Sequence, residues 1–202
     1  MHSLKLFLAS ASPRRLDLLR QIGVEPFACL AADIDETPFN TELPRDLASR
    51  LAHQKALACV GPARSAAQDQ PFLVLAADTV VAVGRRILPK AEVKEEAESC
   101  LDLLSGRAHR VFTAICFAGS DGALRQRLVE TRVTMKRLSD EERKAYLLSG
   151  EWQGKAGGYA IQGRAAAFVT SLVGSYSSVV GLPLYETSQM LTGLGYRTEI
   201  SR

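Results

Sequence analysis

Two arginines, Arg14 and Arg15, directly follow Ser12-Pro13, a residue pair that reads as a helix cap and a first-turn proline. A helix N-terminus already carries partial positive charge and unpaired N–H groups, so adding cations there costs about 0.3–1 kcal/mol each. An anion at that point removes the conflict. Ser10 and Ser12 add hydroxyl donors, and the planar fork of arginine matches phosphate oxygens. The competing reading is an ordinary capped helix with solvated arginines. A second candidate is Asp78 in Ala76-Ala77-Asp78-Thr79-Val80-Val81, a carboxylate between two apolar runs. Burying it unpaired costs several kcal/mol. The sequence therefore predicts that it sits at a strand end, facing a cleft, a cation or a metal, and that it binds Mg²⁺ or positions a water. A turn aspartate between hairpin strands is the alternative.

Three further segments carry polar chemistry. The acidic loop Asp33-Ile34-Asp35-Glu36-Thr37 could supply Glu36 or Asp35 as a second carboxylate for a cation held with Asp78. Lys55, Lys90 and Lys155 lie near turns or glycines and are compact charges suited to phosphate oxygens. In Lys155-Ala156-Gly157-Gly158-Tyr159-Ala160-Ile161-Gln162-Gly163, glycines allow close approach of a ligand and Gln162 offers both a donor and an acceptor. Neither a Walker phosphate loop nor a dinucleotide-binding glycine pattern is present. The stretch Gly174 to Pro183 is serine-rich and ends in a glycine–proline helix start.

The elements that must position these groups follow from periodicity. Lys5 to Ala9 reads as a strand, and Ser12-Pro13 opens a helix that Gly23 stops. Pro26 to Ala31 reads as a strand, Asp33 to Thr41 as a loop, and Pro44 to Val60 as a helix with Leu47, Leu51 and Leu57 on one face. Gly61 to Gln70 reads as a surface connection. Phe72 to Ala77 is a buried strand that Val80 to Val83 continues or pairs with, and Ala91 to Leu104 is a helix. Arg110 to Ala118 and Leu124 to Lys136 form a hairpin about Gly119-Ser120-Asp121-Gly122. Ser139 and Glu142 form a capping box on a helix to about Leu148. Ala166 to Val173 and Ser178 to Val180 read as strands, and Pro183 opens a last helix ending near Gly193. Helices alternate with strands and one hairpin is clear, so the prediction is an α/β fold with a mixed sheet. No linker divides residues 1–202, which predicts a single domain.

Composition removes other classes. Hydrophobic residues make up 47% and charged residues 23%, ordinary globular values that exclude disorder and coiled coil. A net charge of +3 with 6% aromatic residues gives neither a strong basic footprint nor a stacking platform, which argues against nucleic acid. Cys29, Cys59, Cys100 and Cys116 form no C-x-x-C pair and read as reduced core residues. His2, His53 and His109 show no zinc-site spacing. Neither a leader nor a membrane span is apparent, which predicts a cytoplasmic protein.

Six segments, in this order, closely resemble the Maf family of nucleoside triphosphate pyrophosphatases. They are Ala9 to Arg15, Ile34 to Thr37, Ala77-Asp78-Thr79, Ser105-Gly106 with His109-Arg110-Val111, Lys155 to Gly163, and Gly174 to Pro183. The resemblance spans Leu6 to Glu186. It implies an elongated mixed sheet with flanking helices and two lobes around a cleft, as in the inosine-triphosphate-pyrophosphatase (Maf/Ham1) fold. It also implies cleavage between the α- and β-phosphates with Mg²⁺ or Mn²⁺, and a homodimer. By the same resemblance Asp78 takes the catalytic acid/base position, and Glu36, Lys55 and Lys90 take catalytic and phosphate-binding positions, with Asp78 and Glu36 as metal ligands. Arg14, Thr79 and Gln162 match the positions that set base choice and carry the residues of the dTTP/UTP-type subgroup. One departure is the order Leu88-Pro89-Lys90-Ala91, where the family usually reads Gly-Lys-Pro.

Overall fold

The computed structural model describes residues 4–68 and 70–196, so His2 lies outside the described residues. In chain order the elements are β1 (Lys5–Ala9), α1 (Pro13–Gln21), β2 (Ala28–Cys29), α2 (Pro44–Ala58), α3 (Val60–Ala67) and β3 (Phe72–Val83). Then come β4 (Arg86–Leu88), β5 (Lys90–Ala91), α4 (Lys94–Leu104), β6 (Ala108–Gly119) and β7 (Leu124–Met135). The chain continues with α5 (Asp140–Ser149), β8 (Lys155–Ala156), a 3₁₀ turn (Arg164–Phe168), β9 (Val169–Val173), α6 (Tyr176–Val180) and α7 (Leu184–Gly193).

The main sheet has seven strands in the order β2-β1-β3-β6-β7-β9, with β4 also on β3. β1 runs parallel to β2 and β3, and the other pairings are antiparallel. The sheet is mixed, as predicted. β3 is apolar on both faces apart from Asp78 and Thr79, so it belongs at the centre of a sheet covered on both sides. At twelve residues it spans roughly 40 Å and passes from one lobe to the other. In the first lobe Phe72, Val74 and Ala76 pack under α2 and α3, whose buried alanines let the helices come close. Leu73, Leu75 and Ala77 face α1 and α7 on the opposite side. In the second lobe Val81, Val111 and Val133 pack against α4, α5 and Trp152.

One feature of the pairing opens the sheet. β6 lines one edge of β3 from Leu73 to Ala82. On the other edge β1 pairs only as far as Ala76, and β4 takes over at Val81. Among the described residues, Ala77–Val80 therefore has no strand partner on that edge.

Several sequence expectations need correction. Only Ala28–Cys29 of the Pro26 to Ala31 run pairs with β1, and Cys29 is exposed rather than core. The 61–70 connection is largely the helix α3, because Pro62 is tolerated in a first turn and Ala63 and Ala67 bury against the sheet. Residues 178–180 belong to α6, where Ser175 Oγ accepts from the Ser178 N–H as a cap. Residues 164–168 turn as 3₁₀ before β9 begins. The fourth helix starts at Lys94, and Lys90–Ala91 is a strand. Leu57 faces solvent, and Lys55 takes the core-facing place it was expected to share with Leu47 and Leu51. The Ser139–Glu142 capping box is present as read. No described helix is long and apolar enough to cross a membrane.

Candidate active site

The open edge of β3 borders a cavity of about 900 Å³. Ser10, Ser12, Arg14, Arg15, Glu36, Lys55, Asp78, Thr79, Lys90, Lys155 and Gln162 all line it. These candidate residues named from the sequence are thus brought to one place, including Arg14 and Asp78, which are far apart in the chain; Asp35 is not among them.

Asp78 is not at a strand end, as expected, but in the middle of β3, paired across to Ala114. It tolerates that place because Lys55 Nζ lies 2.6 Å from its Oδ1. Lys55 sits on the buried stripe of α2, following Leu47 and Leu51 at four-residue spacing, and is itself buried. Its ammonium also reaches Glu36 Oε1 at 2.8 Å. Removing one member of such a buried pair costs about 3–5 kcal/mol, so the aspartate and lysine depend on each other. Burial works against ionisation of Glu36. The hydrogen bond and charge of Lys55, with Lys90 and Arg15 beyond, still hold its carboxyl below the usual glutamate value. Asp35 does not join them: it is exposed and accepts from the Thr37 N–H at 2.9 Å.

The other cations lack such partners. Arg14, Arg15, Lys90 and Lys155 make no ion pair among the described residues. Arg15 is held by neutral groups, with Nε donating to Gly181 O at 2.8 Å and Nη1 donating to Ser10 Oγ at 3.2 Å. Burial lowers the pKa of Arg15, against the opposing pull of Asp78, and burial also lowers that of Arg14. Lys155 is lowered by burial first, then by repulsion from Arg14 and Lys90. Cations that disfavour their own charge in this way are stabilised when an anion arrives.

Local structure explains the placement. Ser12 does not cap α1 through its side chain, as expected; instead Ser10 Oγ accepts from the Ser12 N–H at 3.1 Å. Ser10 Oγ therefore accepts twice, from Ser12 and Arg15, and no described residue takes its own proton. Its hydroxyl is left as a donor at the cavity wall. Lys90 and Lys155 come to the same cavity on adjacent strands because β5 pairs with β8, registering Lys90 with Ala156 and Ala91 with Lys155, which sets the two lysines diagonally across the ribbon. That ribbon lies tight on the sheet. Gly157 has φ +69°, and a Cβ there would sit 2.8 Å from Val81 Cγ1, so only glycine fits. The serines of the 174–183 segment turn inward as caps: Ser175 holds the Ser178 N–H, and Ser177 Oγ accepts from the Leu184 N–H.

Because side chains alternate along β3, Asp78 and Thr79 point to opposite faces. Thr79 lies opposite Thr113 of β6, with the two Oγ1 atoms 3.1 Å apart, and Thr113 Oγ1 donates to Ser178 O at 2.7 Å. Sequence reading passed over Thr113, which looks like one more residue of the apolar run Val111 to Ala118 until the register places it. Glu92 is a further lining residue that the spacing did not single out.

The donor set can be tested against a divalent cation. Magnesium or manganese on a triphosphate takes one or two protein carboxylates and completes its shell with phosphate oxygens and water. Asp78 and Glu36 converge on a single Lys55 nitrogen, so two carboxylates meet at one point. No described group of three histidine, cysteine, aspartate or glutamate residues could hold a metal alone. The residues fit a cation that arrives with, and is completed by, an anionic substrate.

Comparison with known proteins identifies relatives along nearly the whole chain. The Maf-like protein family model matches residues 5–194. The dTTP/UTP pyrophosphatase of Mesorhizobium japonicum is 60% identical over 193 residues, covering 96% of this chain and 93% of that protein. The dTTP/UTP pyrophosphatase of a Chelativorans species is 58% identical over 197 residues, covering 98% and 94%. Among solved structures, a HAM1 protein from Coxiella burnetii superposes with a TM-score of 0.51 at 17% identity, covering 94% of this chain and 99% of that one, a likeness of fold. With the family model matching nearly its whole length and relatives about 60% identical, the chain belongs to the Maf-like protein family.

Proposed function

We propose that this chain is a nucleoside triphosphate pyrophosphatase that hydrolyses dTTP and UTP to the monophosphate and pyrophosphate. The observation that carries the reading is the shared cavity: the cationic start of α1 and the Asp78–Lys55–Glu36 cluster line one space. Five cations line it against three carboxylates, Glu36, Asp78 and Glu92. That balance favours an anion, and a triphosphate carries enough charge to bring a divalent cation with it. The names of the relatives that share about 60% of the sequence support the pyrimidine nucleotides as substrates.

Asp78 and Glu36 would hold the cation, which when bound supplies positive charge to the phosphate oxygens and acidifies a nearby water. The chain's own groups do the rest. Lys55 occupies Asp78 Oδ1, leaving Oδ2 to take a proton from water. The water oxygen forms the new bond to phosphorus, the bridging phosphorus–oxygen bond breaks, and pyrophosphate leaves. Arg14, Arg15, Lys90, Lys155 and the Ser10 hydroxyl stabilise charge that grows on the phosphates. Thr79 and Gln162, with Arg14, meet the base. The cytoplasm is the compartment that supplies these nucleotides.

The test is a panel of dTTP, UTP, 7-methyl-GTP and dITP with Mg²⁺ or Mn²⁺, reading pyrophosphate and orthophosphate separately. Pyrophosphate from dTTP and UTP, at higher kcat/KM than from the other two, is expected. Faster cleavage of 7-methyl-GTP, or orthophosphate as the product, would overturn the assignment.

A further inference from the structure

Thr113 has one hydroxyl proton, and its nearest acceptor cannot donate. Ser178 O is a backbone carbonyl 2.7 Å away, so the Thr113 proton is committed there. Thr113 and the Ser178 backbone are buried, so no water competes. The 3.1 Å contact between Thr113 and Thr79 then has a single polarity: Thr79 donates and Thr113 accepts. Thr79 has spent its proton inside the sheet, and what it shows the cavity is a lone pair. Ser10 is its opposite, a hydroxyl that accepts twice from the protein and shows the cavity a proton.

We infer that Thr113 is a positioning residue that fixes Thr79 as a hydrogen-bond acceptor for the imide N–H of a uracil or thymine ring. This rests on the pyrimidine triphosphate reading above and deepens it. Gln162 cannot set this polarity by itself. It is exposed, and its amide can turn to offer either an oxygen or an N–H. Cytosine carries a bare ring nitrogen where thymine carries N–H, so it would set a lone pair against the lone pair of Thr79. A site with a fixed acceptor rejects the mismatched base, whereas a free hydroxyl would rotate and accept both.

The test compares kcat/KM for dTTP and dCTP in wild type, Thr113→Val and Thr113→Ser, with 2′,3′-dideoxythymidine triphosphate as a further substrate. Wild type should favour dTTP. Thr113→Val keeps the shape but frees the Thr79 proton, and the dTTP preference should shrink about tenfold, through KM rather than kcat. Thr113→Ser restores the hydroxyl and should restore the preference. A merely structural role would lower both substrates together and leave their ratio unchanged, which would overturn the inference. Were Thr113→Val unable to fold, a wild type that cleaved dCTP as well as dTTP would overturn it alone. Loss of the dideoxy substrate with an unchanged dTTP to dCTP ratio in Thr113→Val would mean that Thr79 accepts from the sugar instead. A wild type that releases no pyrophosphate from dTTP defeats the enzymatic reading, a result distinct from an active enzyme whose base preference ignores Thr113.

Discussion

Asp78 and Thr79 are neighbours in one strand, yet they serve opposite faces of it with opposite physics. On the Asp78 face everything is ionic: Lys55 bridges two carboxylates at 2.6 and 2.8 Å. On the Thr79 face a chain of two hydroxyls ends on a backbone carbonyl, and Arg15, which borders Gly181 together with Thr79 Oγ1, has no carboxylate partner among the described residues. Both faces are reached from one cavity because the edge of β3 is unpaired between Ala77 and Val80. The contrast teaches that a gap in a sheet, rather than a strand end, can present adjacent side chains to one ligand. Carboxylates bridged by a lysine then lie on one side, and a hydroxyl chain beside Arg15 on the other.

The sharpest way to break the ionic side is Asp78→Asn. Pyrophosphate release should fall by more than about a thousandfold; circular dichroism should stay near wild type, while the melting temperature drops because Lys55 loses its buried partner and keeps only the more exposed Glu36. Lys55→Met should cost about a hundredfold, and the loss should be greater at acidic pH. Glu36 is held low by Lys55 against burial, so without the cation its carboxyl takes up protons at higher pH. A pH–rate profile whose acid limb does not move upward in this variant would contradict that link. Arg15→Gln removes a cation that has no carboxylate partner among the described residues. KM for dTTP should rise about thirtyfold, the loss of one charge-assisted contact to phosphate, as steady-state kinetics would show.

The smallest effect at neutral pH belongs to the second lobe. His109 Nε2 lies 2.8 Å from Tyr159 Oη, Nδ1 is buried without a partner, and burial pushes its pKa down to about 4. The unfolded chain therefore binds a proton between about pH 6.5 and 4 that the folded chain refuses. Stability should fall as pH drops through that window, and His109→Gln should flatten the slope while leaving pH 7 melting little changed. Thermal melts at pH 4.5, 5.5 and 7 check this.

How much of this was legible in the sequence varies with how local each signal is. The first-turn proline of α1, the capping box at Ser139 and the hairpin between β6 and β7 each rest on a few adjacent residues, and they appear as read, although Ser12 does not cap α1 through its side chain. The cluster of charged residues in one cavity was legible as separate conflicts, cations at a helix start and a carboxylate inside an apolar run. Their resolution needed tertiary structure. Lys55 gave a signal that was missed: its four-residue spacing after Leu47 and Leu51 puts a lysine on the buried stripe. The short helix α6 was misread as a strand because Val179-Val180 has β character, while the Ser175 cap decides the backbone. Thr113 was invisible, since only the β3–β6 register sets it opposite Thr79.

The most direct measurement is a crystal structure with the non-hydrolysable analogue α,β-imido-dUTP and Mg²⁺. The account predicts the phosphates beside Asp78, Lys55 and Arg15, and the ring N–H within hydrogen-bond distance of Thr79 Oγ1. An analogue bound outside this cavity, or seated with its base against Asp78 and its phosphates against Thr79, would contradict the division of labour between the two faces of the strand.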